Sequence, residues 1–133
     1  MKNTLLVIIL TFSVTIFASP FVKPSEPNGK LNFSQTHISK NIFPVSLYYI
    51  DGKQIIKRNN AVWLKPGKHS IRVSSVVNLN SRSKSLRKRI KYNIKNQNNT
   101  LEINVEKDKT YYVGLDTNDS DPNKWHPVVW KVK

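Results

Sequence analysis

The chain contains no cysteine. Disulfide staples and cysteine-ligated zinc are therefore excluded, as is a lipid anchor attached through a cysteine at a cleavage site. Glycine is scarce too, with four in 133 residues, and no P-loop, glycine-rich phosphate cradle or nucleophile elbow is present. Between Gly52 and Leu101 there is not one acidic residue, against thirteen Lys and Arg. The whole chain carries 22 Lys and Arg against 8 Asp and Glu, a formal net charge of +14. A field of that sign attracts anionic partners and keeps a chain soluble.

What is present begins with MKNTLLVIILTFSVTIFASP. Lys2 supplies a positive start, Leu5 to Phe17 an apolar centre, and Ala18-Ser19 small residues near a cut, which is the layout of a secretory signal peptide. The apolar run is 13 residues long, short of the ~20 that span a bilayer as a helix. Residues 1–18 are read as the signal peptide, so the expected location is periplasmic or secreted. Residues 19–133 are enough for one hydrophobic core and too few for two. Residues 19–30 hold three Pro and a Gly; Pro removes backbone donors, so this segment is read as an extended leader. Residues 31–133 are read as the folded domain.

Within that domain the apolar residues recur at every second position. Val45, Leu47 and Tyr49 alternate with Ser46, Tyr48 and Ile50, and Asp51-Gly52 follows. Both turn residues tolerate the positive φ of a type I′ hairpin. Ala61–Leu64 is a second short strand, ending at Lys65-Pro66-Gly67-Lys68, where Pro suits position i+1 of a turn and Gly supplies positive φ at i+2. From His69 to Leu79 a strand carries Ile71, Val73, Val77 and Leu79 on one face, and Val76-Val77 is read as a bulge. Tyr111, Val113 and Leu115 mark a strand over Thr110–Asp116, and Trp125–Lys133 a last one. Pro127 cannot donate to a ladder, so that last strand is placed at a sheet edge. One more strand is assigned within Asn32–Phe43. Six to seven short strands with turns every eight to twelve residues predict an all-β fold, a single antiparallel β-sandwich of immunoglobulin-like or PEGA-like type.

The stretch SRSKSLRKRIKYNIK, Ser81 to Lys95, has seven basic residues and no acid. Its period is two: Leu86, Lys88, Ile90, Tyr92 and Ile94 on one face, Arg87, Arg89, Lys91, Asn93 and Lys95 on the other. It is a strand, not a flexible arm. Folding it about Asn96–Asn99 onto TLEINVEKD pairs Ile94 with Leu101, Tyr92 with Ile103 and Ile90 with Val105. The same register sets Arg89 opposite Glu106 and Arg87 opposite Asp108, pairs of the kind that add roughly 0.2–1 kcal/mol each.

From Tyr49 to Val113 the signals run YIDGK, WLKPGKHSIRV and INVEKDKTYYV. This order resembles the PEGA-type family of small extracytoplasmic β-sandwich domains, with Asp51, Gly52, Leu64, Pro66, Gly67, His69, Ile71 and Val73 at the matching positions. Lys65-Pro66-Gly67-Lys68 replaces the motif that names the family, and Asp108 stands where a Gly is usual. The resemblance implies a β-sandwich, an extracytoplasmic home and attachment to envelope components; it brings no catalytic residues.

The candidate sites follow from these readings. Arg82, Lys84, Arg87, Lys88, Arg89 and Lys91 are the candidate anion-binding residues. Arg87, Arg89 and Lys91 would stand ~6.8 Å apart along a strand, a spacing that can track a repeating anionic polymer through charge-assisted hydrogen bonds. The competing reading for Arg87 and Arg89 is a solvated face neutralised by Glu106 and Asp108. Trp125 and Trp130 fall on opposite faces of a regular strand, which makes them candidate aromatic contacts. His37, His69 and His126 have no carboxylate close in sequence to form a dyad. Asp116, Asn118 and Ser120 match positions 1, 3 and 5 of a calcium loop, but Asp121 replaces the Gly and Pro127 the Glu, so the loop is read as an Asx-rich turn. No metal, no cofactor and no enzyme activity are expected. The expected function is an exported, non-catalytic binding module whose basic face meets an anionic envelope partner: polysaccharide, lipopolysaccharide, teichoic acid or anionic lipid at a membrane surface. Export argues against nucleic acid. The alternative is a structural envelope protein that contacts another protein through edge strands, its charge serving solubility.

Overall fold

Chains that alternate apolar and polar residues bury one face of each strand, and two such sheets then cover each other. A computed structural model of the chain describes residues 19–55, 60–78, 89–92 and 99–133. Its strands are β1 (Gly29–Asn32), β2 (Ile42–Phe43), β3 (Ser46–Ile50), β4 (Lys53–Gln54), β5 (Ala61–Leu64), β6 (Gly67–Asn78), β7 (Arg89–Tyr92), β8 (Thr100–Val105), β9 (Thr110–Asp116) and β10 (His126–Val132). One sheet runs β10-β9-β1-β5, with β2 also on β9; the other runs β4-β3-β6-β7, with β8 also on β6. The fold is a β-sandwich, as the alternation predicts. It is not wholly antiparallel, because β1 lies parallel to β9, with Leu31 opposite Tyr111.

The two sheets close over Leu31, Val62, Leu64, Val113 and Leu115 from one side and Leu47, Ile50, Ile71, Val73, Ile103 and Val105 from the other. Ile71 and Val73 occupy the inner face of β6, as their spacing requires. On β3 the spacing slips: the register with β6 shifts between Leu47 and Tyr49. That irregularity lets Leu47 and Ile50, three apart, both reach the core. The bulge expected at Val76-Val77 is absent, and β6 pairs regularly there with β7.

Three expectations are corrected. First, β1 starts at Gly29, inside the segment assigned to the leader, and the leader itself is docked. Phe21 bridges to Leu64, the Val22 amide donates to the Trp63 carbonyl at 3.2 Å, and the Lys65 amide donates to the Pro20 carbonyl at 3.1 Å. Proline spacing hides these contacts because Phe21 needs only one bridge position. Second, the segment from Asn32 to Phe43 is not one further strand: a single 3₁₀ turn (Ile38–Lys40) precedes the two-residue β2. Third, β7 and β8 do not form the expected hairpin among the described residues. Both pair antiparallel with β6, β8 along Gly67–Arg72 and β7 along Ser75–Asn78. Val105 stands opposite Gly67 rather than Ile90, Ile103 opposite His69 rather than Tyr92, and Arg89 opposite Asn78 rather than Glu106. A twelve-residue strand offers enough edge for two partners in succession, and local alternation cannot reveal that.

The turns obey their chemistry. Asp51 and Gly52 have φ of 48° and 77°, the doubly positive pattern of a type I′ turn, and they join β3 to β4 in a hairpin. Lys65-Pro66 carries the chain across from β5 in one sheet to β6 in the other, with Gly67 at φ 135°. Asp108 also adopts a positive φ, 62°. Its neighbour Lys109 is ion-paired with Glu106. The hydrogen bond from that pair, followed by the attraction of the carboxylate, raises the Lys109 ammonium above its ordinary value. β10 is at a sheet edge, as Pro127 requires.

Candidate functional site

His69 is placed by the period of β6. It shares the inward face with Ile71 and Val73 and is 7% exposed. A buried imidazole must spend its polar atoms on partners, and here it does. Nδ1 lies 2.6 Å from Asp51 Oδ2, and Nε2 lies 2.7 Å from the Lys65 carbonyl oxygen. The second carboxylate oxygen of Asp51 accepts the Ser70 amide at 2.9 Å, and the Asp51 amide donates to the Ser70 carbonyl at 2.8 Å. The Asp51-Gly52 and Lys65-Pro66-Gly67 turns are thereby clasped together. Asp51 is 18 residues from His69 in the chain, too far for sequence spacing to suggest the pair. The available signal was that both residues stand at turns beside paired strands.

A carbonyl can only accept, so the ring must donate from Nε2. Both ring nitrogens are engaged in this geometry, one by Asp51 and one by the Lys65 carbonyl. The pair therefore holds the two turns in place.

Beside the clasp lies a cavity of about 530 Å³, lined by Asp51, Gly52 and Lys53 of the first turn, Lys65 to His69 of the second, and Ser19-Pro20 of the leader. Lys53, Lys65 and Lys68 are exposed, and none has an ion-pair partner among the described residues. A smaller hollow of about 380 Å³ opens on the outer face between Lys68, Glu102, Ile103 and Asn104.

Of the six sequence-predicted anion-binding residues, Arg82, Lys84, Arg87 and Lys88 lie outside the described residues. Arg89 and Lys91 belong to β7, where the backbone register sets them opposite Asn78 and Val76. Further along β6, Arg72 is exposed and lies over the Tyr49 ring at 5.6 Å. Glu102 stands opposite Ser70, between Lys68 and Arg72, without an ion pair to either.

The two tryptophans separate. Trp125 is a core residue, 4% exposed, and its indole N–H donates to the Asp119 carbonyl at 2.8 Å. It is corrected from candidate contact to core filling: it precedes β10 and follows a 3₁₀ turn (Pro122–Lys124), so strand alternation does not govern it. Trp130 is half-buried at a register shift between Val129 and Lys131, 5.8 Å from His37 and 5.7 Å from Tyr112 between ring centres. Its indole N–H is buried and has no acceptor among the described residues.

The aspartate-rich loop is a staircase of Asx turns, as expected. Asp116 accepts the Asn118 amide, Asp119 the Asp121 amide and Asp121 the Asn123 amide, each at 2.9 Å. Among the described residues no group of His and acidic side chains could hold a metal ion. Compared with protein-family models, with curated proteins and with solved structures, the chain matches none.

Proposed function

We propose that the protein is an exported, non-catalytic binding module of PEGA-like type that uses a basic face for an anionic envelope partner. The observation that supports this reading most directly lies on β6. Exposed Lys68 and Arg72 share a strand whose far end is laddered to the strand bearing Arg89 and Lys91. Four basic residues of the acid-free window Gly52–Leu101 thus lie on β6 or on the strand paired with it, and no described carboxylate pairs with Lys68 or Arg72. An acidic polysaccharide, lipopolysaccharide, teichoic acid or anionic lipid surface has the complementary charge.

Such binding is dominated by release of counterions and weakens steeply with salt, as it does for other polyanions. The test is retention of the chain on heparin-type resin, lipopolysaccharide and teichoic acid. Retention at about 50 mM salt that is lost by roughly 200 mM is expected. The double variant Lys68→Glu, Arg72→Glu should elute earlier. Failure to bind all three at low salt abandons the reading.

The edge of β10 supports the alternative, contact with another protein by strand addition. Among the described residues β10 has only β9 as a ladder partner, and Val132 on it is 48% exposed. Strand addition relies on main-chain hydrogen bonds, so binding that persists in high salt would select it.

A further inference from the structure

The cavity between the two clasped turns sets charge and shape in one place, and among the described residues neither β7 nor β10 contributes to it. The one carboxylate among its described lining residues, Asp51, has both oxygens engaged, one with His69 and one with the Ser70 amide. It forms no ion pair with the three lysines, and among the described residues no other carboxylate pairs with Lys53, Lys65 or Lys68.

The kind of positive charge is informative. Among the described residues no arginine lines the cavity, so none of them offers the planar fork that matches a carboxylate. Lysine acts as a point charge and is a common phosphate binder. Three point charges suit a doubly charged, tetrahedral oxyanion better than a singly charged planar one. The volume, about 530 Å³, falls in the range of roughly 300–1,000 Å³ typical of small-molecule sites. That is much more than bare phosphate fills and suits a phosphate carried on a sugar-sized body. Gly52 and Gly67 stand on the rim, and a methyl group added to either would meet nothing within 4 Å, so the approach is open. Ser19 and Pro20 close one wall, fixed there by the Lys65 amide bond to the Pro20 carbonyl.

We infer that this cavity is a binding site for a sugar-sized phosphate monoester, with Lys53, Lys65 and Lys68 as the phosphate contacts and the His69–Asp51 clasp as the element that positions them. The inference rests on the anionic-partner reading and names the group recognised: a terminal phosphate, which a phosphorylated glycan and a phosphorylated lipid headgroup both present.

The test is titration of the ¹⁵N-labelled chain with glucose 1-phosphate, inorganic phosphate, glucose and acetate, following backbone amides. Glucose 1-phosphate is expected to give saturable shifts confined to Gly52, Lys53, Gly67, Lys68 and His69 at millimolar concentration. Inorganic phosphate should compete more weakly, and glucose and acetate should leave these amides unmoved. Lys65→Met and Lys68→Met should each weaken binding about tenfold, the loss of one charge-assisted hydrogen bond. Both lysines are exposed, so unchanged amide dispersion elsewhere will show that the variants fold. Shifts that do not saturate, or that acetate reproduces, overturn the inference. Resin retention of the same sample separates the two readings. A chain that is retained but ignores glucose 1-phosphate loses only the cavity; a chain that binds the ester but no polyanion loses only the basic face. Vesicles bearing a phosphorylated glycolipid, set against the soluble ester, then distinguish lipid from glycan as the source.

Discussion

Two indoles close in sequence illustrate how far a single polar atom decides a residue's role. Trp125 buries its ring and satisfies its N–H on the Asp119 carbonyl, so it anchors the loop before β10 as well as filling the core. Trp130 covers Tyr112, with Lys131 Nζ 5.4 Å from that ring, but its own N–H is buried without an acceptor among the described residues. Replacing either by Phe keeps most of the apolar area and removes the N–H. Trp125→Phe should cost about 1–3 kcal/mol, because the Asp119 carbonyl loses its donor and the ring shrinks in a packed site. Trp130→Phe should be within about 1 kcal/mol of neutral, since an unsatisfied buried donor disappears with the lost contacts. Urea unfolding of the two variants checks this; equal losses would mean that the Trp130 N–H has a partner. Gly29 shows the opposite economy. A Cβ there would meet the Val105 side chain and, at 2.7 Å, the Glu106 carbonyl, so the close approach of the chain at this point requires that a side chain be missing.

Strands were legible in the sequence wherever a run is either bounded by turn chemistry or half-buried. Ala61–Leu64 and Thr110–Asp116 match their predicted limits, because a Pro-Gly turn ends the first and Tyr111, Val113 and Leu115 recur at every second position of the second, although Tyr112 and Gly114 on its other face are buried as well. Pairing was much less legible. The expected hairpin between the basic strand and TLEINVEKD satisfies both faces locally, yet β6 takes both partners. Alternation says which face a residue occupies, and many registers share that parity; the competition between partners is settled only by the whole sheet. Nuclear Overhauser contacts between Hα and amide protons across β6 and β8 test the arrangement. Cross-strand contacts are expected between His69 and Ile103 and between Gly67 and Val105, and none between Tyr92 and Ile103. A double-mutant cycle on Arg89 and Glu106 should accordingly give a coupling near zero, below the roughly 0.2–1 kcal/mol of a facing pair. The candidate cavity was illegible for a related reason. Asp51, Lys65 and His69 each read as turn chemistry, and only the packing of β3 against β6 brings them together.

At the scale of the whole molecule the net charge of +14 is an energetic burden. Like charges repel more strongly in the compact state than in an expanded chain, and salt screens exposed charges over a Debye length of about 10 Å at 0.1 M. Thermal unfolding followed by calorimetry should therefore show Tm rising by about 3–6 °C as sodium chloride increases from about 10 mM to 0.3 M. A Tm that falls over that range would show that attractive pairs outweigh the repulsion. The cations of the outer faces are partly accommodated by rings: Lys30 lies 5.5 Å from Trp63, as Arg72 and Lys131 lie near Tyr49 and Tyr112, contacts worth about 0.5–1 kcal/mol at exposed sites. The position of β1 has a different consequence. It is hydrogen-bonded to β5 on one side and to β9 on the other, so the earliest strand is the middle plank of a sheet whose other planks come from far later in the chain. Closure of such a long loop is slow, and until Thr110–Asp116 arrives the nascent chain holds an open edge along β1. Shortening the protein from its front would thus remove a keystone rather than trim a tail.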